Sequence, residues 1–439
     1  MGQNQSWGRY PQLAPSRVDH VLWKSDKLDL KSLDRPVLPY GYGRSYGDSC
    51  QNQDGVLLDS HLLDRFLDFD ERQGILRCEA GVSLDEVLKL IVPRGWFLPV
   101  TPGTKFVSVA GAVANDIHGK NHHSSGTFGR HVTSFELLRS NGERLVCTPT
   151  QNQDHFRSTI GGLGLTGLIL CVEFRLKPIA NPYMVKETIR FSNLKEFFEL
   201  SDRSDDRYEY TVSWVDSLAR GKSLGRGMFY RGNHAQKGQE LLVPKIPRAL
   251  ASLFFDLPGA LLNSLTMRMA STVLYRSQFW KKTTRLVHYD PFFYPLDSIL
   301  QWNRAYGKKG FLQYQFCVPP HTEQLAIREV LDRASASGDG SFLNVLKRFG
   351  PLPSPGMMSF PRQGTTLAMD FAFKGQRTLD LLENLDQVVS QAGGAVYPAK
   401  DARMSAGHFQ AFFPQWKEFS QFIDPKFSSS FWRRVTEGK

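Results

Sequence analysis

Through the first 180 residues the hydrophobic pattern is one of short apolar runs punctuated by glycine. GVLLDS and GILRCEA predict strands over 55–58 and 75–79, and SLDEVLKLIVP predicts a helix over 83–93. Ser83 can cap that helix, and Glu86 three residues on completes a capping box. From about 181 to 394 the runs lengthen and become aromatic, with strands predicted over 208–215, 311–318 and 365–373 between helices, the pattern of a domain built on an antiparallel sheet. The last stretch predicts a strand, a polar turn and one helix on which Phe409, Phe412, Phe413 and Trp416 recur at helical spacing as core. The fold class is therefore α+β, divided as 1–178, 179–394 and a C-terminal segment 395–439 that returns to the first domain. No internal repeat or low-complexity run interrupts it.

At 439 residues, 41% hydrophobic and 22% charged, the composition is that of a soluble globular chain with two or three cores, which excludes a single small binding module. Five cysteines, an odd number with no C-x-x-C spacing, indicate neither a disulfide framework nor a zinc knuckle and point to a reducing compartment. The N-terminus MGQNQSWGRYP lacks the charged and apolar regions of a secretory signal; its match to a myristoylation pattern through Gly2 and Ser6 is read as coincidence. The expected location is the cytoplasm or the inner face of a membrane, with the periplasmic side left open.

The net charge of +11 is concentrated: residues 220–285 hold twelve Lys or Arg against Glu240 and Asp256. The same segment carries the apolar stretch ALASLFFDLPGALLNSLTM (249–267), which Asp256 and Pro258 interrupt, so no spanning helix is expected. Flanked by Lys245, Arg248, Arg268 and Arg276, it suits either the interface of an anionic membrane or a buried helix hairpin with solvated basic ends. Nucleic acid comes last as a partner, because no stacking platform or helix-turn-helix pattern accompanies the charge.

Three glycine-rich stretches carry the candidate chemistry. GYGRSYGD (41–48) offers backbone N–H groups and the Ser45 hydroxyl in a tight loop of the kind that holds a pyrophosphate. The small residues from Gly103 and Thr104 through Gly111, Asn115, His118 and Gly119 leave a bare surface for a planar ligand. Gly162, Gly164 and Gly167 satisfy G-x-G-x-x-G, but a helix end precedes them and a strand follows, the reverse of a dinucleotide fingerprint, so they serve close backbone approach. Together the three favour a large phosphate-bearing cofactor. HGKNHH (118–123) is not read as a metal site, since His122 and His123 cannot both point one way on a strand; neutral hydrogen-bonding histidines are expected. Gln313 with Gln315, and Lys347 with Phe349, each share a strand face, while Lys400 and Asp401 sit in YPAKDAR. A lysine on such a face is costly to bury without an anion; the alternative is surface lysines on edge strands.

GYGRSYGD, PGTKFVSVAGAVANDIHGKNHHSSGTFG, GGLGLTG, LQYQF, LNVLKRFGP and YPAKD, in this order, resemble the flavin-dependent oxidases of the vanillyl-alcohol oxidase superfamily, and within it the branch that oxidises polyprenylphosphoryl ribose. The resemblance implies a PCMH-type FAD-binding domain with a substrate domain over the flavin ring. Gly43, Arg44, Ser45, Tyr46 and Gly47 would hold the pyrophosphate side. Gly103, Thr104, Gly111, Asn115, His118, Gly119, Gly162, Gly164, Gly167 and Tyr397 would meet the ribityl chain and ring. His118, Gln315, Lys347 and Lys400 would line the reacting carbon, with Lys400 accepting the hydroxyl proton. It further implies a 2-keto product passed to a separate NAD(P)H-dependent reductase, a polyprenyl-phosphate sugar substrate, and a membrane-facing role for 220–285. A soluble sugar or aldonolactone oxidase on the same fold is the alternative. Two departures stand out. Arg44 occupies the place where many relatives carry a flavin-linking histidine, so FAD is expected to be non-covalent. Ala368 stands where the ribose-oxidising branch carries a cysteine.

Overall fold

The computed structural model describes residues 4–239, 251–253, 256, 264–340 and 343–437. Gly2 and most of the apolar stretch 249–267 lie outside the described residues. Three sheets organise the chain as an α+β fold. Five antiparallel strands run in the order Phe66–Asp70, Ile75–Glu79, Leu168–Arg175, Val132–Leu138 and Arg144–Cys147. Beside them, Val56–Asp59 is flanked by Arg17–His20 and Val37–Tyr40, all parallel, a pairing that the sequence pattern does not announce. The largest sheet has eight antiparallel strands: Lys282–His288, Tyr183–Phe191, Gly227–His234, Tyr210–Val215, Asn344–Phe349, Gly364–Ala372, Phe311–Val318 and Ala395–Val396.

The capping box forms. Ser83 Oγ accepts the Glu86 amide at 3.2 Å, the Glu86 carboxylate accepts the Ser83 amide at 2.8 Å, and the helix Leu84–Ile91 buries Leu84, Val87, Leu88 and Ile91. These positions fall at helical spacing, so one stripe of the helix joins the core beneath the five-stranded sheet. The helix Gln153–Thr159 precedes, and the strand Leu168–Arg175 follows, the glycine loop 161–167, the reversed order expected of it.

Three local readings are corrected. The single C-terminal helix is two, Ala406–Phe412 and Trp416–Ser420, because Pro414 lacks the N–H that would continue the ladder. His122 and His123 open a short helix, His122–Ser125, instead of lying on a strand. Lys347 is on a central strand and only 9% exposed, so it is no edge-strand surface lysine.

The chain end closes on its beginning. Val37 donates to Lys426 O at 2.7 Å, Ser428 to Val37 O at 3.0 Å and Ser430 to Gln51 O at 2.8 Å. From the helix Ser430–Thr436, Arg434 then reaches the buried carboxylates of Asp48 and Asp401, each at 2.8 Å.

Candidate active site

The register of the eight-stranded sheet builds the floor of the site. Gln313 lies opposite Asp370, Gln315 opposite Ala368, and Lys347 opposite Thr366. Directly opposed residues share a face, so these six and Phe349 project to one side of three central strands. Gln313 donates to Asp370 at 2.6 Å, and Gln315 donates to Thr366 Oγ1 at 3.2 Å. Ala368, opposite Gln315, is the smallest side chain in this row.

The segment 115–119 crosses this face. Asn115 closes the helix Val109–Ala114 by donating to Gly111 O at 2.8 Å, and its own carbonyl accepts the Tyr397 hydroxyl at 2.9 Å. His118 then drops between two residues of the sheet, with Nε2 3.0 Å from Gln315 Nε2 and Nδ1 2.9 Å from Lys347 Nζ. Lys347 also donates to Gly119 O at 3.0 Å. With the Gln315 amide donating to Nε2, the imidazole proton resides on Nδ1 and Lys347 accepts it as a neutral amine. Burial supports that state: it pushes Lys347 well below the usual lysine range, helped by Lys120 and Lys400, and pushes His118 well below the usual histidine range, helped by Lys347.

Lys400 lies in the turn after Ala395–Val396. Its Nζ stands 3.8 Å from the centroid of the Tyr46 ring, while the Tyr46 amide donates to Ala399 O at 2.9 Å, so the first glycine loop and the lysine turn are one unit. A Cβ on Gly47 would sit 1.7 Å from Asp401 O, which is why glycine is required at this crossing. Burial lowers Lys400 and raises Asp370 toward neutrality, and each opposes the other's shift through its charge. Lys120, half-buried and donating to Phe293 O at 2.8 Å, is pulled down to about 7 by desolvation and then by Lys186. Lys347 thus feels the charges of both Lys120 and Lys400, and an anionic ligand beside these amines would favour their protonated forms.

The glycine loops suit a phosphate-bearing group. Among the described residues the amides of Gly43, Arg44, Ser45 and Gly47 meet no acceptor, and neither does the Ser45 hydroxyl. Successive unused amides in a tight loop form an anion-binding concavity. Gly103 faces open space, with no atom within 4 Å of an added Cβ. Thr104 Oγ1 accepts the Phe106 amide at 3.3 Å. In the third loop Gly164 (φ +77°) and Gly167 (φ +143°) require glycine conformations. The Arg44 guanidinium lies 4.3 Å over Trp7, with Nε donating to Phe106 O at 3.1 Å, and it offers no nucleophile for a flavin linkage.

The three histidines find separate partners: His118 as above, His122 Nδ1 with the Gly350 amide at 3.2 Å, and His123 Nε2 with Tyr208 O at 2.9 Å. Asp401, by contrast, is structural, held by Arg434 and accepting the Met404 amide at 3.0 Å. Sequence reasoning overlooked Asp370, Thr366 and Lys120. The first two stand in phase with Ala368 on TTLAMDF, and a lone acid at the core-facing period of a strand is the signal that could have found Asp370.

A family model described as an FAD binding domain matches residues 29–148, the span that contains the first two of these loops. A decaprenylphosphoryl-beta-D-ribose oxidase from Mycolicibacterium smegmatis is 37% identical over 418 residues, covering 91% of this chain and 89% of that protein. An uncharacterized protein of Streptomyces coelicolor is 31% identical over 371 residues, 81% of this chain and 100% of its own length. The Delta(24)-sterol reductase of Mus musculus is 30% identical over 149 residues, 34% of this chain and 28% of that protein. Because the first similarity covers nine-tenths of this chain and of its relative at 37% identity, the chain belongs to the family of FAD-dependent oxidoreductases that includes decaprenylphosphoryl-β-D-ribose oxidase.

Proposed function

We propose that the protein oxidises a polyprenylphosphoryl-β-D-ribose-type sugar to its 2-keto form, the first half of a 2-epimerisation that a separate NAD(P)H-dependent keto-sugar reductase completes. The observation that carries this reading is the Lys400 amine, set against Tyr46 and within electrostatic reach of Asp370, Lys347 and His118, the last two joined with Gln315 in one hydrogen-bonded chain.

FAD, when bound, supplies the hydride acceptor. The free amides of Gly43, Arg44, Ser45 and Gly47 would hold its pyrophosphate; Gly103, Thr104, Gly111, Asn115, Gly119 and the 162–167 loop would meet the remainder, and Tyr397 braces Asn115 from the C-terminal segment. On this reading 1–178 and 395–439 serve the cofactor and 179–394 the substrate. Lys400 takes the hydroxyl proton as the carbinol hydride leaves, a task that burial fits it for by keeping the amine neutral near physiological pH. Gln315 and His118 orient the hydroxyls, held in place by the neutral Lys347 amine, and Lys120 meets the sugar phosphate, whose charge favours its protonated form. The enzyme works at a membrane face, where such a lipid-linked sugar resides.

Anaerobic mixing of the holoenzyme with synthetic polyprenylphosphoryl ribose is expected to bleach the flavin absorbance, and free aldonolactones are expected to leave it unchanged; bleaching by lactones alone overturns the reading. Acid precipitation is expected to release all the yellow colour into the supernatant, since Arg44 cannot form the covalent link. Colour retained in the pellet would overturn the non-covalent assignment.

A further inference from the structure

We propose that the outward face of the helix Ser264–Ser277, continued by Phe279 and Trp280, is a docking surface for an anionic lipid bilayer, which locates the membrane-face role of the proposed function and rests on that reading. Six large apolar side chains crowd into sixteen residues here while remaining exposed: Leu265 is 67% exposed, Met269 62%, Val273 70%, Leu274 39%, Phe279 78% and Trp280 68%. Leu265, Met269 and Val273 follow one another at intervals of four, so they form a single stripe.

The stripe is held outward. Met267 and Ser271 on the opposite side are buried. Tyr275 lies under the Arg226 and Arg190 guanidinium groups at 4.7 and 5.5 Å, and Thr272 accepts from Arg226 at 3.3 Å. Beyond the helix, Arg190 donates to Gln278 O at 3.0 Å and the Gln278 amide donates to Trp280 O at 3.0 Å, fixing the turn that presents the two aromatic rings, 5.3 Å apart and edge to face. The helix therefore cannot bury the stripe by rolling without losing these contacts.

Charge selects the occupant. Arg268 and Arg276 are exposed beside the stripe and form no ion pair among the described residues, and the surrounding segment carries most of the net charge of the chain. A second copy of the chain would set these arginines against their own images. An anionic bilayer satisfies both halves of the surface: aliphatic side chains enter the acyl boundary, Trp280 sits at the headgroup level, and the arginines meet lipid phosphates. Among the described residues no helix is long and apolar enough to cross a membrane, so the association is peripheral.

Sedimentation of the FAD-loaded full-length protein with vesicles tests this independently of the sugar chemistry, because the vesicles hold no substrate. Binding is expected to vesicles of phosphatidylcholine with phosphatidylglycerol and to be weak with phosphatidylcholine alone. Both Phe279→Ser/Trp280→Ser and Arg268→Glu/Arg276→Glu are expected to weaken it by about tenfold or more. These side chains are exposed, so flavin content and thermal unfolding should match the wild type. Wild-type protein that stays in the supernatant with anionic vesicles, variants that bind as the wild type does, or a solution dimer abolished by Phe279→Ser/Trp280→Ser would each overturn the proposal.

Discussion

Replacement of Lys400 by alanine is expected to slow reduction of bound FAD by substrate about 10²- to 10⁴-fold, the range for loss of a positioned proton acceptor. FAD content should be unchanged, because the cofactor loops keep their own contacts. The removed amine is already disfavoured as a cation by burial, and Asp370, left behind, is already raised toward protonation, so the folded state has little charge to redistribute. The pH profile distinguishes this role from a structural one. Neutral Lys400 is the competent form, so the rate of flavin reduction should climb with pH through the neutral region and level off above it. Asp370→Asn removes the carboxylate that favours the ammonium form and is expected to move that rising limb to lower pH. A limb that stays in place in Asp370→Asn would separate Asp370 from the proton transfer, and rapid bleaching in Lys400→Ala would refute the assignment of Lys400 itself.

The second large effect concerns stability. Arg434→Met is expected to cost about 3–5 kcal/mol in urea unfolding, since it strips the cation from two carboxylates that are each 3% exposed. Asp48 follows the first glycine loop and Asp401 follows Lys400, so the same change should weaken FAD binding although Arg434 belongs to neither loop. An Arg434→Met protein with wild-type unfolding and FAD affinity would show that water replaces the guanidinium at no cost.

The local features were legible because their determinants lie within a few residues. Ser83 and Glu86 announce a helix start by themselves, and the strand after the 161–167 loop shows its period in LILCVEF. The break at Pro414 was equally local and was passed over in favour of aromatic spacing. What short-range pattern could not supply is neighbourhood. Strand order in the eight-stranded sheet places Gly364–Ala372 between Asn344–Phe349 and Phe311–Val318, and only that order brings Thr366 and Asp370 beside Gln315 and Gln313. The strand faces of Gln313, Gln315 and Lys347 could be read from period-two alternation, yet nothing near Lys347 in sequence indicated that His118, 229 positions away, would meet its amine. Arg434 was missed for the same reason, its partners lying 386 and 33 residues distant.

The row containing Ala368 has a consequence for chemical reactivity. With a methyl group opposite Gln315, this row of the sheet holds no sulfur nucleophile; of the five cysteines elsewhere, Cys78, Cys147, Cys171 and Cys317 are buried and Cys50 is half-buried, and burial pushes Cys50, Cys147 and Cys317 up to about 12. Thiolate, not thiol, attacks electrophiles. Maleimides, iodoacetamide and other alkylating agents should therefore leave turnover intact, and Ala368→Cys should create a single position at which such reagents silence the enzyme.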